Sequence, residues 1–165
     1  IPKKKKSTVP HSRAKYIGLE HIIPGNFKCD SFGNTEDVLA QCNLVDGGDL
    51  CYSKLRPYLD KAFIASFDAV SSTELLVYDT KIVSKKYVLY LLHSTPFIKY
   101  ASDQGFGTKM PRISHKIIGE YPIKILNNED KLLEEMNLFE LSLSECSKNI
   151  EASKKLFLSI INQVF

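Results

Sequence analysis

The chain has 165 residues, 44% hydrophobic and 25% charged, with 22 Lys/Arg against 19 Asp/Glu for a net charge of +3. That composition supports one ordinary core plus an appendage. Cys29, Cys42, Cys51 and Cys146 are too sparse and too widely spaced for a disulfide scaffold or a CxxC-type zinc site, so a reduced, cytoplasmic protein is expected.

The sequence opens at Ile1 rather than methionine, and removal of an upstream piece is the expectation. The Lys3–Lys6 run is not followed by the apolar stretch of a signal peptide, and the longest apolar run, Tyr87 to Leu92, is far too short to span a membrane. Strands are expected at Tyr16–Ile22, Asp49–Tyr52, Phe63–Phe67, Leu75–Tyr78 and Gly119–Ile125, where aromatic and β-branched residues gather. Short helices suit Ser84–His93 and Pro96–Ser102, the second with Thr95 as its cap. Glycines near positions 25, 33, 47–48 and 105–107 break the chain between these elements. The expected class is α+β: a globular unit over residues 1–126 with one mixed, curved sheet, then a long helix over 127–165.

That last segment is the most regular. Leu132, Met136, Phe139, Leu143, Cys146, Ile150, Ser153, Phe157, Ile160 and Val164 recur at alternating gaps of four and three, with no Gly or Pro after Pro122. Such a seven-residue repeat keeps one seam facing a partner helix. Asn127 or Asn128 would cap it, with Glu129 and Asp130 in the first turn. Packing of the helix on its own domain is the alternative.

Charge is unevenly spread. Residues 1–30 carry a net +5, residues 31–80 −5, residues 81–126 +6 and residues 127–165 −3. Clustered cations suit a phosphate backbone, although a solvated lysine-rich surface would give the same count.

The stretch from Gly47 to Tyr78 joins a tight turn, a basic-aromatic loop and apolar strands. Its residues Gly48, Asp49, Lys54, Leu55, Arg56, Pro57, Tyr58, Leu59, Phe67, Asp68, Ser72, Thr73 and Glu74 resemble the signature of the DNA-recognition domain in type I restriction–modification specificity subunits. Tyr16–Ile22 looks like that family's opening strand, and Gly105–Ser114 is similar to its Gly-Thr-x-x-Pro-Arg-Ile-Ser turn. The closing Ser153–Phe165 resembles the helix that ends such subunits. Two departures stand out: Pro122–Leu126 lacks the second proline expected there, and a full subunit carries two recognition domains and two helices.

The resemblance implies a non-enzymatic module that reads one half of a split target in double-stranded DNA. A methyltransferase subunit and a restriction subunit would be its partners, and S-adenosylmethionine, ATP and Mg would be bound by them alone. The helix 127–165 would mediate self-association or dock the methyltransferase. The alternatives are the C-terminal recognition domain of a single-chain restriction–methyltransferase and a coiled-coil adaptor without DNA binding. The DNA-contacting residues are expected to be Lys54, Arg56, Tyr58, Lys61, Thr108, Lys109, Arg112 and Ser114, with Lys28 and Asn34 in the variable loops beside Asn26, Gln41 and Asn43. A second variable stretch is expected around Thr80–Lys86. Pro57 should hold Arg56 extended so that its guanidinium projects. Alternatively, Arg56 pairs with Asp49 or Asp60 and Tyr58 fills the core. No catalytic or metal-binding constellation is evident: His11, His21, His93 and His115 lack ligand spacing, and neither a P-loop nor a GxSxG turn occurs.

Overall fold

The computed structural model describes residues 7–9, 12–36, 38–80, 83–124 and 128–164. The Lys3–Lys6 run, Lys81 of the second variable stretch and the capping candidate Asn127 lie outside the described residues, as does the side chain of Val164. The chain divides into two units, Ile1–Lys124 and Ile125–Phe165.

The first unit contains the strands β1 (Ser7–Thr8), β2 (Lys15–Ile17), β3 (Gly33–Asn34), β4 (Cys42–Val45), β5 (Leu50–Ser53), β6 (Ala62–Ile64), β7 (Ala69–Ser72) and β8 (Leu75–Tyr78). They form two sheets where one was expected. A five-stranded sheet runs β1-β4-β7-β2-β3, and a three-stranded sheet runs β6-β5-β8. The first is mixed, because β2 and β7 pair in parallel while its other neighbours are antiparallel.

Alternation explains why two sheets form. Along β5, Leu50 and Tyr52 face one core cluster while Cys51 faces the other. Along β8, Leu76 and Tyr78 face the first cluster and Leu75 and Val77 the second. Successive strand residues point to opposite faces, so a strand apolar at every position is buried on both. The three-stranded sheet is that doubly covered layer. One face packs on Ile17, Val45 and Ala69 of the larger sheet, and the other on the helices.

Those helices are α1 (Lys85–Leu92), α2 (Thr95–Asp103) and α3 (His115–Glu120). Each begins at a serine whose hydroxyl accepts from the third amide onward: Ser84 from Tyr87, Ser94 from Phe97 and Ser114 from Ile117. The α2 cap is thus Ser94, one residue before the expected Thr95. The strand expected at Gly119–Ile125 is not present in the described residues. Its first two residues close α3, and Tyr121–Lys124 has no regular structure. Ile117, Ile118 and Tyr121 gave the segment a strand-like composition, but the Ser114 cap starts a helix that buries Ile118 in the core.

The second unit is α4, Glu129–Val164, 36 residues long. The Leu132 amide donates to the Asn128 carbonyl at 3.3 Å, which makes Asn128 the N-cap position. Phe139, Leu143, Ile150, Phe157 and Ile160 of the seam are all more than half exposed. Among the described residues, no helix is long and apolar enough to cross a membrane.

Candidate nucleic-acid interface

Three loops of the first unit are bound together at one place. The loop after β5 is anchored at its start, where Ser53 Oγ donates to the Leu55 carbonyl and the Lys54 amide to the Glu74 carbonyl. It then pairs with the loop before α3: the Arg56 amide donates to Pro111 O at 2.7 Å and the Ile113 amide to Lys54 O at 2.9 Å. That second loop is closed by reciprocal backbone bonds between Phe106 and Arg112, at 3.0 and 2.9 Å. The third loop joins through the Gly25 amide, which donates to Asp60 O at 2.8 Å, and through Ile64, whose amide donates to Phe27 O.

Arg56 is not extended. It sits at φ 50° and ψ 67°, in the left-handed region, and Asp60 at the other end of the Pro57–Leu59 turn has φ 50° as well. Proline excludes the right-handed region for its predecessor, and two backbone bonds fix the choice that remains. The Arg56 amide is tied to Pro111, and its carbonyl accepts from Leu59 at 2.9 Å. A non-glycine residue held in this region marks a place where tertiary structure dictates the backbone. The two acids that might have paired with Arg56 are engaged elsewhere: Asp49 lies 3.7 Å from Lys85 Nζ, and Asp60 lies 2.7 Å from His93 Nδ1. Arg56 Nε is buried without a hydrogen-bond partner among the described residues. Tyr58 does not fill the core; it is 52% exposed.

Glu74 organises the cations. Arg112 reaches it with both arms of its fork, Nε at 3.2 Å and an Nη at 3.4 Å, and Lys54 Nζ lies 4.0 Å away. This carboxylate is absent from the expected contact residues. The spacing of the Ser72–Thr73–Glu74 turn after β7 is the sequence signal that could have found it.

Beyond this knot the loops present exposed groups. Gly107, at φ 101°, turns the chain so that Phe106, Thr108, Lys109 and Met110 stand at the surface. A β-carbon at Gly107 would be strained in that conformation and would lie 3.4 Å from Met110 O. Phe106 and Met110 are 60% and 48% exposed, apolar groups that no charge-based reading would select. Asn26 and Lys28 are exposed on the third loop.

No protein-family model matches the sequence. The chain is 28% identical over 125 residues to the type I restriction enzyme EcoDI specificity subunit of Escherichia coli, which covers 74% of this chain and 28% of that protein. Its fold matches the crystal structure of the HsdS subunit from Thermoanaerobacter tengcongensis with a TM-score of 0.68 at 15% identity, over 88% of this chain and 41% of that one. It also matches a chain from a structure of type I R-M complex assembly and conformational transition, with a TM-score of 0.72 at 14% identity, over 90% and 41%. The chain is thus similar in sequence to one type I restriction specificity subunit and in fold to the HsdS subunit. It spans less than half the length of these three proteins.

Within the first unit, the signature residues and the exposed residues differ in role. Gly47 and Gly48 form the turn from β4 to β5, held by Asp68 Oδ1, which accepts from the Gly47 amide at 2.8 Å, and by Ala65 O, which accepts from Gly48 at 2.7 Å. Several expected contact residues are engaged inside the unit. Ser114 caps α3, Lys61 Nζ donates to Leu19 O at 2.7 Å, and Asn43 donates to Leu75 O at 2.8 Å. Asn34, on β3 of the larger sheet, accepts from the Glu36 amide, and Gln41 is exposed just before β4, so neither belongs to the three-loop group. Tyr58, Thr108, Lys109, Asn26 and Lys28 remain on its surface.

Proposed function

We propose that the first unit recognises double-stranded DNA as part of a restriction–modification system, with the three-loop group as its contact surface. The juxtaposition of the Lys54–Asp60 and Phe106–Arg112 loops carries this reading: one rigid knot presents Lys109, Thr108 and Tyr58 outward and keeps Arg112 and Lys54 in reserve on Glu74. A lysine, a hydroxyl and a phenol at one surface suit phosphate oxygens, which set register rather than sequence. Asn26 and Lys28 on the neighbouring loop are the side chains suited to base edges, the amide to adenine and the ammonium to guanine. The similarity to a named specificity subunit supports the same reading.

The chain itself would carry out no chemistry. Methyl transfer and cleavage would fall to a methyltransferase and a restriction subunit that bind S-adenosylmethionine, ATP and Mg, in the cytoplasm. The α4 seam would take part in self-association, and Leu138 and Leu141, exposed outside that seam, offer a second face for the methyltransferase. A filter-binding titration tests the core of the proposal. Affinity for duplex should fall with salt at a log–log slope of roughly −4 to −6, as a handful of phosphate contacts would give. No duplex binding at low salt with the partner subunit present would refute it.

A further inference from the structure

We infer that Phe106 and Met110 read the C5 methyl group of thymine, so that the three-loop group selects A·T pairs where the Phe106–Arg112 loop meets the major groove. This rests on the duplex recognition proposed above and names the part of the target these two residues select.

Exposed apolar groups are not scattered evenly over the first unit. Among its described residues, the exposed large apolar or aromatic side chains are Val9, Ile23, Phe32, Leu39, Tyr58, Phe106 and Met110. Ile23, Tyr58, Phe106 and Met110 stand on the three joined loops; Ile23 opens the turn whose Gly25 amide donates to Asp60 O. Single exposed apolar residues are ordinary, whereas a group gathered on joined loops marks an interaction surface.

Phe106 and Met110 are also held in place before any ligand arrives. Phe106 and Arg112 exchange backbone bonds, so only the five residues 107–111 close the loop. Its root is fixed by the Arg56 amide on Pro111 O, by the Ile113 amide on Lys54 O and by the Gly105 amide, which donates to Ser102 O of α2 at 3.3 Å. A β-carbon at Gly105 would lie 3.3 Å from that same carbonyl. A loop ordered before binding loses less entropy on binding. The unbranched Met110 thioether can then adapt its shape to what it covers.

The surroundings select the ligand. From Gln104 to Ile118 the chain holds Lys109, Arg112 and Lys116 and no acid. Apolar groups framed by cations suit a polyanion that displays an apolar group of its own, rather than the apolar pocket of a protein. Base edges in the major groove present hydrogen-bond donors and acceptors, and the thymine methyl is the one apolar group among them. A phenyl ring or thioether set against a G·C edge would strip water from polar atoms and return no hydrogen bond. Against thymine it covers the methyl instead. The same A·T edge presents adenine N6 and N7, which suit the Asn26 amide on the neighbouring loop.

Uracil in place of thymine tests this without altering the protein, because it pairs alike and lacks only the methyl. The wild-type chain, with its partner subunit present, first selects a duplex from a random pool. That duplex is then made with thymine and with uracil for filter binding. The uracil duplex should bind about fourfold more weakly for each methyl covered. Phe106→Ala and Met110→Ala should bind the thymine duplex more weakly by a similar factor, lose the preference for thymine over uracil and keep the wild-type salt slope. Met110→Leu, close in volume, should retain the preference. Lys109→Ala should weaken both duplexes alike. Equal wild-type affinity for the two duplexes, or a selected consensus without thymine, would overturn the inference. So would alanine variants that still prefer thymine, or a wild-type chain in which these two residues serve only to bind the partner subunit and leave duplex affinity unchanged when replaced. Each of those results leaves duplex recognition standing, whereas no binding of any duplex would refute that reading itself.

Discussion

The two units use the same residue types in opposite ways. In the first, Phe63, Phe97, Leu50, Leu75 and Leu89 are all almost wholly buried, and the residues resembling a recognition signature hold turns and loops in place. In α4, Phe139, Leu141, Leu143, Phe157 and Leu158 are all more than half exposed. The buried apolar side chains of the first unit therefore contribute to folding, whereas those exposed along α4 are left for the association proposed above. Among the polar residues expected at a contact, Lys61, Asn43 and Ser114 are engaged inside the first unit.

The largest effects should separate folding from association. Phe63→Ala removes a fully buried ring and should destabilise the first unit by about 3–5 kcal/mol. Phe139→Ala should leave the urea midpoint of that unit unchanged. If Phe139→Ala lowered the midpoint as much as Phe63→Ala, the division into two energetic roles would be wrong.

Next in size is the pair of changes Met136→Glu and Ile150→Glu. Four carboxylates in a paired seam, two from each chain, cannot be desolvated without large cost, so self-association should be abolished. Near-ultraviolet circular dichroism of the first unit should be unchanged. Persistence of the dimer in sedimentation would show that the contact lies elsewhere, with the face of Leu138 and Leu141 as the first place to look.

How far the sequence revealed these roles depended on whether the signal was local. The α4 seam was legible because a seven-residue repeat needs no knowledge of the rest of the chain, and the cap at Asn128 is likewise a local feature. The apolar strands β5 and β8 were also legible, since continuous runs mark burial on both faces. β4 and β7 were missed: Asn43 interrupts Cys42–Val45 and Ser71–Ser72 ends Ala69–Ser72, and pairing with each other and with β1 and β2 makes them strands. At the candidate interface the local rule for Pro57 excluded the helical conformation for Arg56. It could not foresee that Pro111, more than fifty residues away, would draw that residue into the left-handed region. Nor could charge alone distinguish Lys61, whose ammonium lies on Leu19 O, from Lys109, which is exposed.

That distinction gives a smaller prediction. Lys109→Ala should reduce the salt slope of duplex binding by about one unit, as the loss of one phosphate contact requires. Arg112→Ala and Arg56→Ala should weaken binding to all sequences alike, because both act through the loop knot. A changed base preference in either arginine variant, measured by competition among duplexes, would make that residue a reader of sequence. Glu74→Gln helps to separate the roles: it frees Arg112 and should loosen the two loops without removing a cation.

The smallest effect needs only the native cysteines. Cys29, Cys42 and Cys51 are buried in the first unit, and burial pushes the Cys29 and Cys42 thiols up from their ordinary value, so little of either is thiolate near neutral pH. Cys146 is exposed, at a seam position of α4. A disulfide-exchange reagent should therefore find one fast thiol in the dilute native chain and four in denaturant. If the seam self-pairs, Cys146 becomes covered as concentration rises, and its rate should fall severalfold across the dissociation range while the other three stay slow. A Cys146 rate constant with concentration would mean that the seam is not covered there by a second copy. More than one fast thiol in the dilute chain would instead show that the first unit opens readily, which would weaken the contrast from the other side.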